Sequence, residues 1–183
     1  TKALIARHTG LIYSGPIAGN AYKIIAARAE EITRVVLLGP PHRVAAPKFC
    51  VPAATAFRRP LGDIPIDAEG IAQAMQVPGV EQSDIPHADE HSLEVHLPFL
   101  QLVLGDFTLV PVIVGGPSPR ETNALLQALW GGPETLIVIS SDLSHYHNYD
   151  GARQRDHSFC RHVETLNLEQ IEDEQACGRF PVK

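Results

Sequence analysis

Short apolar runs alternate with amphipathic segments along most of the chain. The strongest apolar runs cover residues 2–6, 34–38, 107–115 and 134–140. They lack the in–out alternation of a half-buried strand, and continuous apolar runs of this length are typical of strands buried on both faces of a sheet. Strands that alternate with helices predict an α/β fold with a mostly parallel central sheet flanked by helices.

The segments between these runs predict helices. We expect a helix over residues 14–32, with Ile17, Ala21, Ile24 and Ile25 on one apolar face. Residues 91–104 are expected to form a helix that Pro98 kinks or restarts. Further helices are predicted after Asp67 as an N-cap, after Ser118 as a cap with Pro119 at the first position, and from about residue 151 to 175.

Residues 49–58 are predicted to be extended, with Pro52 placing them at a sheet edge or a bulge. The sequence contains no internal repeat and no convincing linker. We therefore predict one domain over residues 1–183, a length at which roughly 70% of the unfolded surface is buried on folding.

Charge and composition exclude several functional classes. The chain has 15 basic and 21 acidic residues, a formal net charge of −6. It has no basic run, so it gains nothing from the phosphate contacts that dominate nucleic-acid binding. Its apolar runs are far shorter than the ~20 residues that cross a bilayer. Three cysteines without a Cys-x-x-Cys pair favour a reducing compartment, most simply the cytoplasm.

Polar residues follow three of the predicted strands. His8 comes after the first, His42 after the second, and Asp142 and His145 after the last. Parallel sheets bind ligands beyond the carboxyl ends of their strands. Two imidazoles and a carboxylate there are typical of a non-haem metal triad, or a His–Asp pair could transfer protons beside a metal held by other residues. Alternatively, each histidine simply caps a loop or bonds to a carbonyl.

Two weaker candidates are His91 and Glu94, which lie three residues apart on one predicted helix. Asp89 and Glu90 could instead form an acidic cap at the start of that helix. The serines at 140, 141 and 144 lack the Gly-x-Ser-x-Gly elbow of a nucleophilic hydrolase.

Six motifs occur in the order found in one known family. They are RHTGLIYSG, LGPPHRV, DEHSLEVHLPFLQ, VPVIVG, SSDLSHYH and ACGRFP, and the resemblance that they carry extends over residues 3–182. The chain therefore resembles the Memo family, which is similar in fold to the class III extradiol ring-cleaving dioxygenases.

The resemblance implies a transition-metal pocket. It makes His8, His42 and Cys177 the metal-lining residues, and Asp142 and His145 complete the pocket. In the related dioxygenases the late histidine is the acid–base residue, and a glutamate stands where this family has cysteine. The resemblance also places the segment with His91, Glu94 and His96 near the pocket, as residues that orient the ligands.

The metal and the activity follow less directly. Iron, copper or zinc are the candidate ions, and a thiolate ligand favours the softer ones. The resemblance implies a dioxygenase-like oxidoreductase in which His145 moves protons. The alternative is a non-catalytic protein that binds metal or a peptide and acts through partners. The expected partners are a small-molecule or peptide ligand and, by resemblance, a radical-SAM protein, with no nucleic acid and no membrane.

Two departures from the family pattern stand out. The first motif commonly reads Pro-His-Ala-Gly-Tyr, whereas Arg7 precedes His8 here. An inward-pointing Arg7 would disfavour a dication. Family members usually extend beyond the first and last motifs, so we expect this chain to be a fragment or a shortened paralogue that lacks those extensions.

Overall fold

The computed structural model describes residues 1–172 and 175–183. Its centre is a six-stranded sheet with the strand order β1-β8-β2-β7-β3-β6, accompanied by a separate two-stranded pair, β4 and β5. The strands are β1 (Ala3–Ala6), β2 (Arg34–Gly39), β3 (Phe49–Val51), β4 (Ala56–Phe57), β5 (Ile64–Pro65), β6 (Val80–Gln82), β7 (Thr108–Val114) and β8 (Thr135–Ser140).

The predicted mostly parallel sheet is confirmed. Strands β1, β8, β2 and β7 are parallel neighbours, β3 is antiparallel to β7, and β6 is parallel to β3. In β2, Val36 and Leu38 contact the core on one face of the sheet, and Val35 and Leu37 contact the core on the other. Burial of both faces explains why the strand sequence is apolar throughout.

The expectation that Pro52 places its segment at a sheet edge is wrong for β3. That strand lies inside the sheet, between β7 and β6. It ends at Val51, so the proline follows the ladder and removes no hydrogen bond from it.

Helices cover both faces of the sheet, as predicted. They are α1 (Leu11–Lys23), α2 (Ala68–Ala74), α3 (Ile85–Ala88), α4 (His91–Glu94), α5 (Leu97–Leu104), α6 (Pro119–Leu129), α7 (Tyr149–Glu164) and α8 (Arg179–Val182). Asp67 caps α2 through the N–H of Gly70, and Ser118 forms a capping box with Glu121 at the start of α6. The chain restarts as α5 around Pro98 rather than continuing from α4.

The predicted first helix differs in length and in orientation. It begins at Leu11 and ends at Lys23, and a 3₁₀ turn follows at Ala26–Arg28. Its buried residues are Ser14, Ala18 and Tyr22. Of the predicted apolar face, Ile17 is 57% exposed and Ile24, beyond the helix end, is 62% exposed, whereas Ile25 is buried and Ala21 packs against the core. Tyr22 is one of the largest fully buried side chains, so residue size alone does not decide which face of the helix is buried.

The C-terminal segment also differs from the expectation. Helix α7 runs from Tyr149 to Glu164, a 3₁₀ turn covers Leu168–Gln170, and residues 173 and 174 of the predicted helical segment lie outside the described residues. Cys177 lies in a turn before α8, not at the end of a long helix. None of the helices in the described ranges is long and apolar enough to span a bilayer.

Candidate metal centre

Three histidines meet beyond the carboxyl ends of β1 and β2, next to the start of α4. The ring centroids of His8 and His42 are 5.0 Å apart, those of His42 and His91 are 4.6 Å apart, and those of His8 and His91 are 5.7 Å apart. One ring nitrogen from each residue lies within 4.8 Å of the other two. The expected proximity of His8 and His42 is therefore confirmed, and His91 joins them.

A close contact at the end of β2 brings α4 to this position. A Cβ atom on Gly39 would lie 2.7 Å from Leu93 Cδ2 and 2.8 Å from Ser92 Oγ, so only glycine leaves room for the helix. The Ser92 hydroxyl donates to the carbonyl of Pro40 at 2.7 Å. The chain that carries His42 and the helix that carries His91 are thereby held together.

His8 is held in one tautomer by a buried serine. Its Nδ1 lies 2.6 Å from Ser140 Oγ, and that hydroxyl donates to the carbonyl of Ser92, also at 2.6 Å. Because the single hydroxyl proton goes to the carbonyl, Ser140 accepts from the Nδ1–H of His8. The Nε2 atom of His8 then faces the cluster, and the residue is only 1% exposed.

His42 has a carboxylate partner. Its Nδ1 lies 2.8 Å from Oε1 of Glu90, whose other oxygen accepts from the backbone N–H of His42. Glu90 also caps α4 by accepting from the N–H of Ser92 at 2.9 Å. Burial by itself would raise the pKa of Glu90, but these hydrogen bonds outweigh burial and lower it to about 2. The carboxylate thus stays ionised and fixes the ring through Nδ1, which leaves Nε2 as the outward atom.

Cys177 adjoins the histidines. Its sulfur lies 3.4 Å from Nε2 of His8 and accepts from the backbone N–H of Asp142 at 3.1 Å. Burial would raise the pKa of this thiol, but hydrogen bonds with His42 and His8 outweigh burial and lower it to about 6. The same bond to Cys177, together with Glu90, raises the pKa of His42 to about 9. Both shifts favour a thiolate at Cys177 beside a protonated His42, and an ion bound to these two residues would displace that proton.

A second close contact positions that cysteine. A Cβ atom on Gly178 would lie 2.4 Å from the carbonyl oxygen of Ser140 and 2.4 Å from Ser141 Cβ. The N–H of Gly178 donates to Ser141 Oγ at 3.0 Å. The turn therefore sits directly on the end of β8, and this brings residue 177 next to a residue 169 positions earlier in the chain.

Asp142 binds the loop that carries His8. Its Oδ1 accepts from the N–H groups of His8 and Thr9 at 3.1 and 3.2 Å, and its Oδ2 accepts from the Thr9 hydroxyl at 2.6 Å. Arg7 Nε lies 3.5 Å from the same carboxylate, so the Arg7 charge is balanced by Asp142. His145 is exposed in the loop after β8, with its ring 6.1 Å from that of Tyr146. The acid–base roles of Asp142 and His145 stay predictions.

Glu94 and His96 have partners of their own. Glu94 is paired with Arg59 and its side chain is 54% exposed. His96 is fully buried, with Nδ1 at 2.8 Å from the hydroxyl of Tyr22. The ring nitrogens of His42 and His8 contact Glu90 and Ser140 rather than Glu94 or His96, whose roles in orienting ligands stay predictions.

Comparison with known proteins decides the family. A family model described as Memo-like protein matches residues 1–182. The chain belongs to the Memo family. A MEMO1 family protein of Ignicoccus hospitalis is 35% identical over 96% of this chain, and one of Aquifex aeolicus is 35% identical over 93%. Protein MEMO1 of Danio rerio is 30% identical over 99% of it.

This Memo chain matches only part of those relatives. It covers 66% of the Ignicoccus protein, 64% of the Aquifex protein and 70% of the Danio protein. Activity, substrates and partners of a whole Memo protein are therefore proposals for this chain.

Two residues of the candidate site were missed by sequence reasoning. Glu90 was interpreted only as a possible helix cap, and Ser140 only as a rejected nucleophile. Glu90 directly precedes His91, and Ser140 is the last residue of a strand whose loop was already a candidate. The sequence pattern could not predict that Glu90 pairs with His42, because the two residues are 48 positions apart in the chain.

Proposed function

We propose that this Memo chain binds one transition-metal ion at the histidine cluster, with His8, His42 and Cys177 as ligands. The observation that carries the proposal is that two buried partners, Ser140 and Glu90, each occupy a histidine Nδ1, so that Nε2 of each ring faces Cys177. Zinc-type ligands are commonly fixed by such outer partners. Neutral imidazole nitrogens and a thiolate are also the donors that zinc, copper and iron accept.

The three histidine nitrogens would need to move slightly closer together to bind an ion. Nitrogen donors around a tetrahedral ion with bonds of about 2.0–2.1 Å are about 3.3 Å apart, whereas the three histidine nitrogens lie within 4.8 Å of one another. His91 is partly exposed, so its ring has room to move inward. Burial lowers the pKa of His91, which favours its neutral, coordinating form.

The third ligand distinguishes two versions of the site. Cys177 is supported by its 3.4 Å contact with His8 and by the two hydrogen bonds that keep it ionised. Asp142 completes a two-His-one-carboxylate set by chemistry, but its oxygens already accept three hydrogen bonds from the loop that carries His8. We propose Cys177 as the third ligand and His91 as a fourth.

The experiment is elemental analysis of protein purified without oxygen, followed by metal titration of five variants. His42→Ala and Cys177→Ser should each reduce the bound metal, whereas His145→Ala should retain it. His157→Ala, an exposed histidine on α7, is the matched control. If Cys177→Ser keeps full affinity and Asp142→Asn loses it, the carboxylate version of the site is correct.

Oxidoreductase chemistry is the second part of the proposal. A bound redox-active ion would supply the site where substrate and O₂ meet, as in dioxygenases. The chain's own contribution would be to hold the ligands rigidly and to move a proton through His145, with Asp142 nearby. O₂ uptake with catechols tests this activity, and loss of uptake in His145→Ala with metal retained would support the acid–base role.

A non-catalytic metal- or peptide-binding protein is the second candidate. It is favoured by the exposed position of His145 and by the engagement of Asp142 with the first loop. In that case the metal-loaded protein would show no O₂ uptake and would act through partners. A radical-SAM protein is the proposed partner, and a reducing compartment such as the cytoplasm suits three free cysteines.

A further inference from the structure

A cavity of about 280 Å³ lies beside the histidine cluster but is separate from it. One wall comes from residues 54–59, around β4, and the other from α3, α4 and the start of α5. Among the described residues, Glu90 lines the cavity, whereas His8, His42 and His91 do not. The cavity is thus on a different side of Glu90 from the cluster.

The base of this cavity is apolar and firmly held. Leu93 and Leu97 are 3% and 1% exposed and belong to the core on the α1, α4 and α5 side of the sheet. Phe57 is partly buried against the same core. Its ring lies 6.1 Å from the ring of His87, with a tilt of 56°. Two rings in this arrangement present a face and an edge to an aromatic guest.

The charged groups of the lining already have partners in the protein. Arg59 is paired with Glu94, and Asp84 accepts from the N–H groups of Ala53 and Ala54 at 2.8 and 3.0 Å. Glu90 accepts from His42 and from Ser92. The Arg58 side chain is 91% exposed, so it lies mainly in solvent. A guest therefore needs no charge, and a charged guest would lose hydration for little return.

The exception is a buried acceptor on His87. Its Nε2 lies 3.1 Å from the carbonyl oxygen of Cys50, and because a carbonyl only accepts, Nε2 carries the proton. The Nδ1 atom then holds a lone pair, is buried, and has no partner within the described residues. Burial lowers the pKa of His87, so the ring stays neutral and Nδ1 stays an acceptor at pH 7. The torsion that turns an imidazole has a broad minimum, so a small rotation can expose this atom to a guest.

We propose that this cavity is a binding site for a small neutral aromatic molecule that carries one hydrogen-bond donor. The ring would pack on Phe57, Leu93 and Leu97, and the donor would satisfy Nδ1 of His87. The volume suits such a molecule, since a dry cavity of about 150 Å³ is enough to hold benzene. Indole is a suitable probe because it has a single N–H donor and accepts no hydrogen bond of ordinary strength.

The test compares indole with 1-methylindole, which keeps the ring but lacks the donor. Each probe is titrated into the metal-free full chain, and binding is measured by calorimetry and by changes in amide chemical shifts. The binding site is proposed independently of the metal, so a failed metal titration does not affect this result. We expect indole to bind about fivefold more tightly than 1-methylindole, the ratio given by one net hydrogen bond. The shifts should concentrate in residues 54–59 and in α3.

Two variants and one control make the outcome decisive. His87→Phe should remove the preference for indole, and Ala88→Phe, at an exposed position of α3 that lines the cavity, should remove binding of both probes. His157→Phe on α7 should bind like the original chain. The proposal is overturned if neither probe binds, if the two bind equally to the original chain, or if folded Ala88→Phe still binds indole.

Discussion

At the scale of single residues, the candidate site depends on atoms that point away from it. His42 and His8 are able to offer Nε2 because Glu90 and Ser140 occupy Nδ1 of each ring. Imidazole has two nitrogens that exchange roles freely in water, so an outer partner decides which one faces an ion. The same partners resist rotation of the rings. Glu90 restrains the site more than Ser140 does, because its one carboxylate binds the His42 side chain, the His42 backbone and the start of α4.

The first prediction follows from that position. Glu90→Gln keeps the size of the side chain but removes the charge, and we expect metal affinity to fall by about 10–100-fold. Competition titration with a chromophoric chelator measures the change. Glu94→Gln is the matched control, because Glu94 lies on the same short helix but is paired with Arg59 away from the cluster. Equal affinities for the two variants would show that Glu90 does not position His42.

At the scale of elements, loops are placed by close contacts between backbone segments. Gly39 lets α4 rest on the end of β2, and Gly178 lets the Cys177 turn rest on the end of β8. Neither glycine has a positive φ that would explain its selection: Gly178 has a φ of −87°. Space, not backbone conformation, is the requirement at both positions.

The second prediction tests the turn that carries Cys177. Gly178→Ala would put a methyl group 2.4 Å from the Ser140 carbonyl, so the turn must shift. We expect a loss of about 1–3 kcal/mol of stability from overpacking, together with weaker metal binding. Thermal unfolding and metal titration measure the two effects. Gly15→Ala in α1 is the control, because a Cβ there meets nothing within 4 Å and should be neutral or stabilising. Unchanged metal affinity in Gly178→Ala would argue against Cys177 as a ligand.

The elements also show what sequence can predict. The four parallel strands follow from their continuous apolar runs, and the caps at Asp67 and Ser118 follow from local chemistry. The face of α1 does not, because Ser14, Ala18 and Tyr22 are buried while Ile17 stays exposed. Periodicity shows which residues share a helix face, but the tertiary packing decides which face is buried.

In the candidate site, too, some residues can be predicted from sequence and others cannot. Strand ends predicted His8 and His42, because a parallel sheet gathers its carboxyl ends at one edge. Cys177 came from motif order alone, since its turn is placed by a contact between distant segments. The pairing of Glu90 with His42 and of Ser140 with His8 is tertiary, and no local pattern encodes it.

At the scale of the whole molecule, titrating groups with opposite shifts give stability a pH dependence. The raised pKa of His42, about 9, contributes stability that is fully present below the unfolded value and is lost as pH rises toward 9. The lowered pKa of Glu90, about 2, contributes stability that is lost as pH falls from about 4.5 to 2. A further group with a lowered pKa is His96, which is completely buried beneath Tyr22 and α5.

The last prediction concerns that histidine. Burial, with a smaller effect of the charge on His8, lowers the pKa of His96 from 6.5 to about 3. The unfolded chain therefore binds a proton below pH 6.5 that the folded chain rejects until pH 3, so His96 destabilises the fold progressively as pH falls through that range. The full effect is on the order of 3–5 kcal/mol. Urea unfolding measured from pH 7.5 to 4 should show little pH dependence from this group above pH 6.5 and a slope approaching about 1.4 kcal/mol per pH unit below it. The double variant His96→Phe with Tyr22→Phe removes the titrating ring without leaving an unpaired hydroxyl. Its unfolding free energy should change less per pH unit, by the contribution of about one proton. His157→Phe, an exposed ring, should leave the slope unchanged. If the double variant and the original chain lose stability in parallel below pH 6.5, His96 is not the group that couples protonation to unfolding.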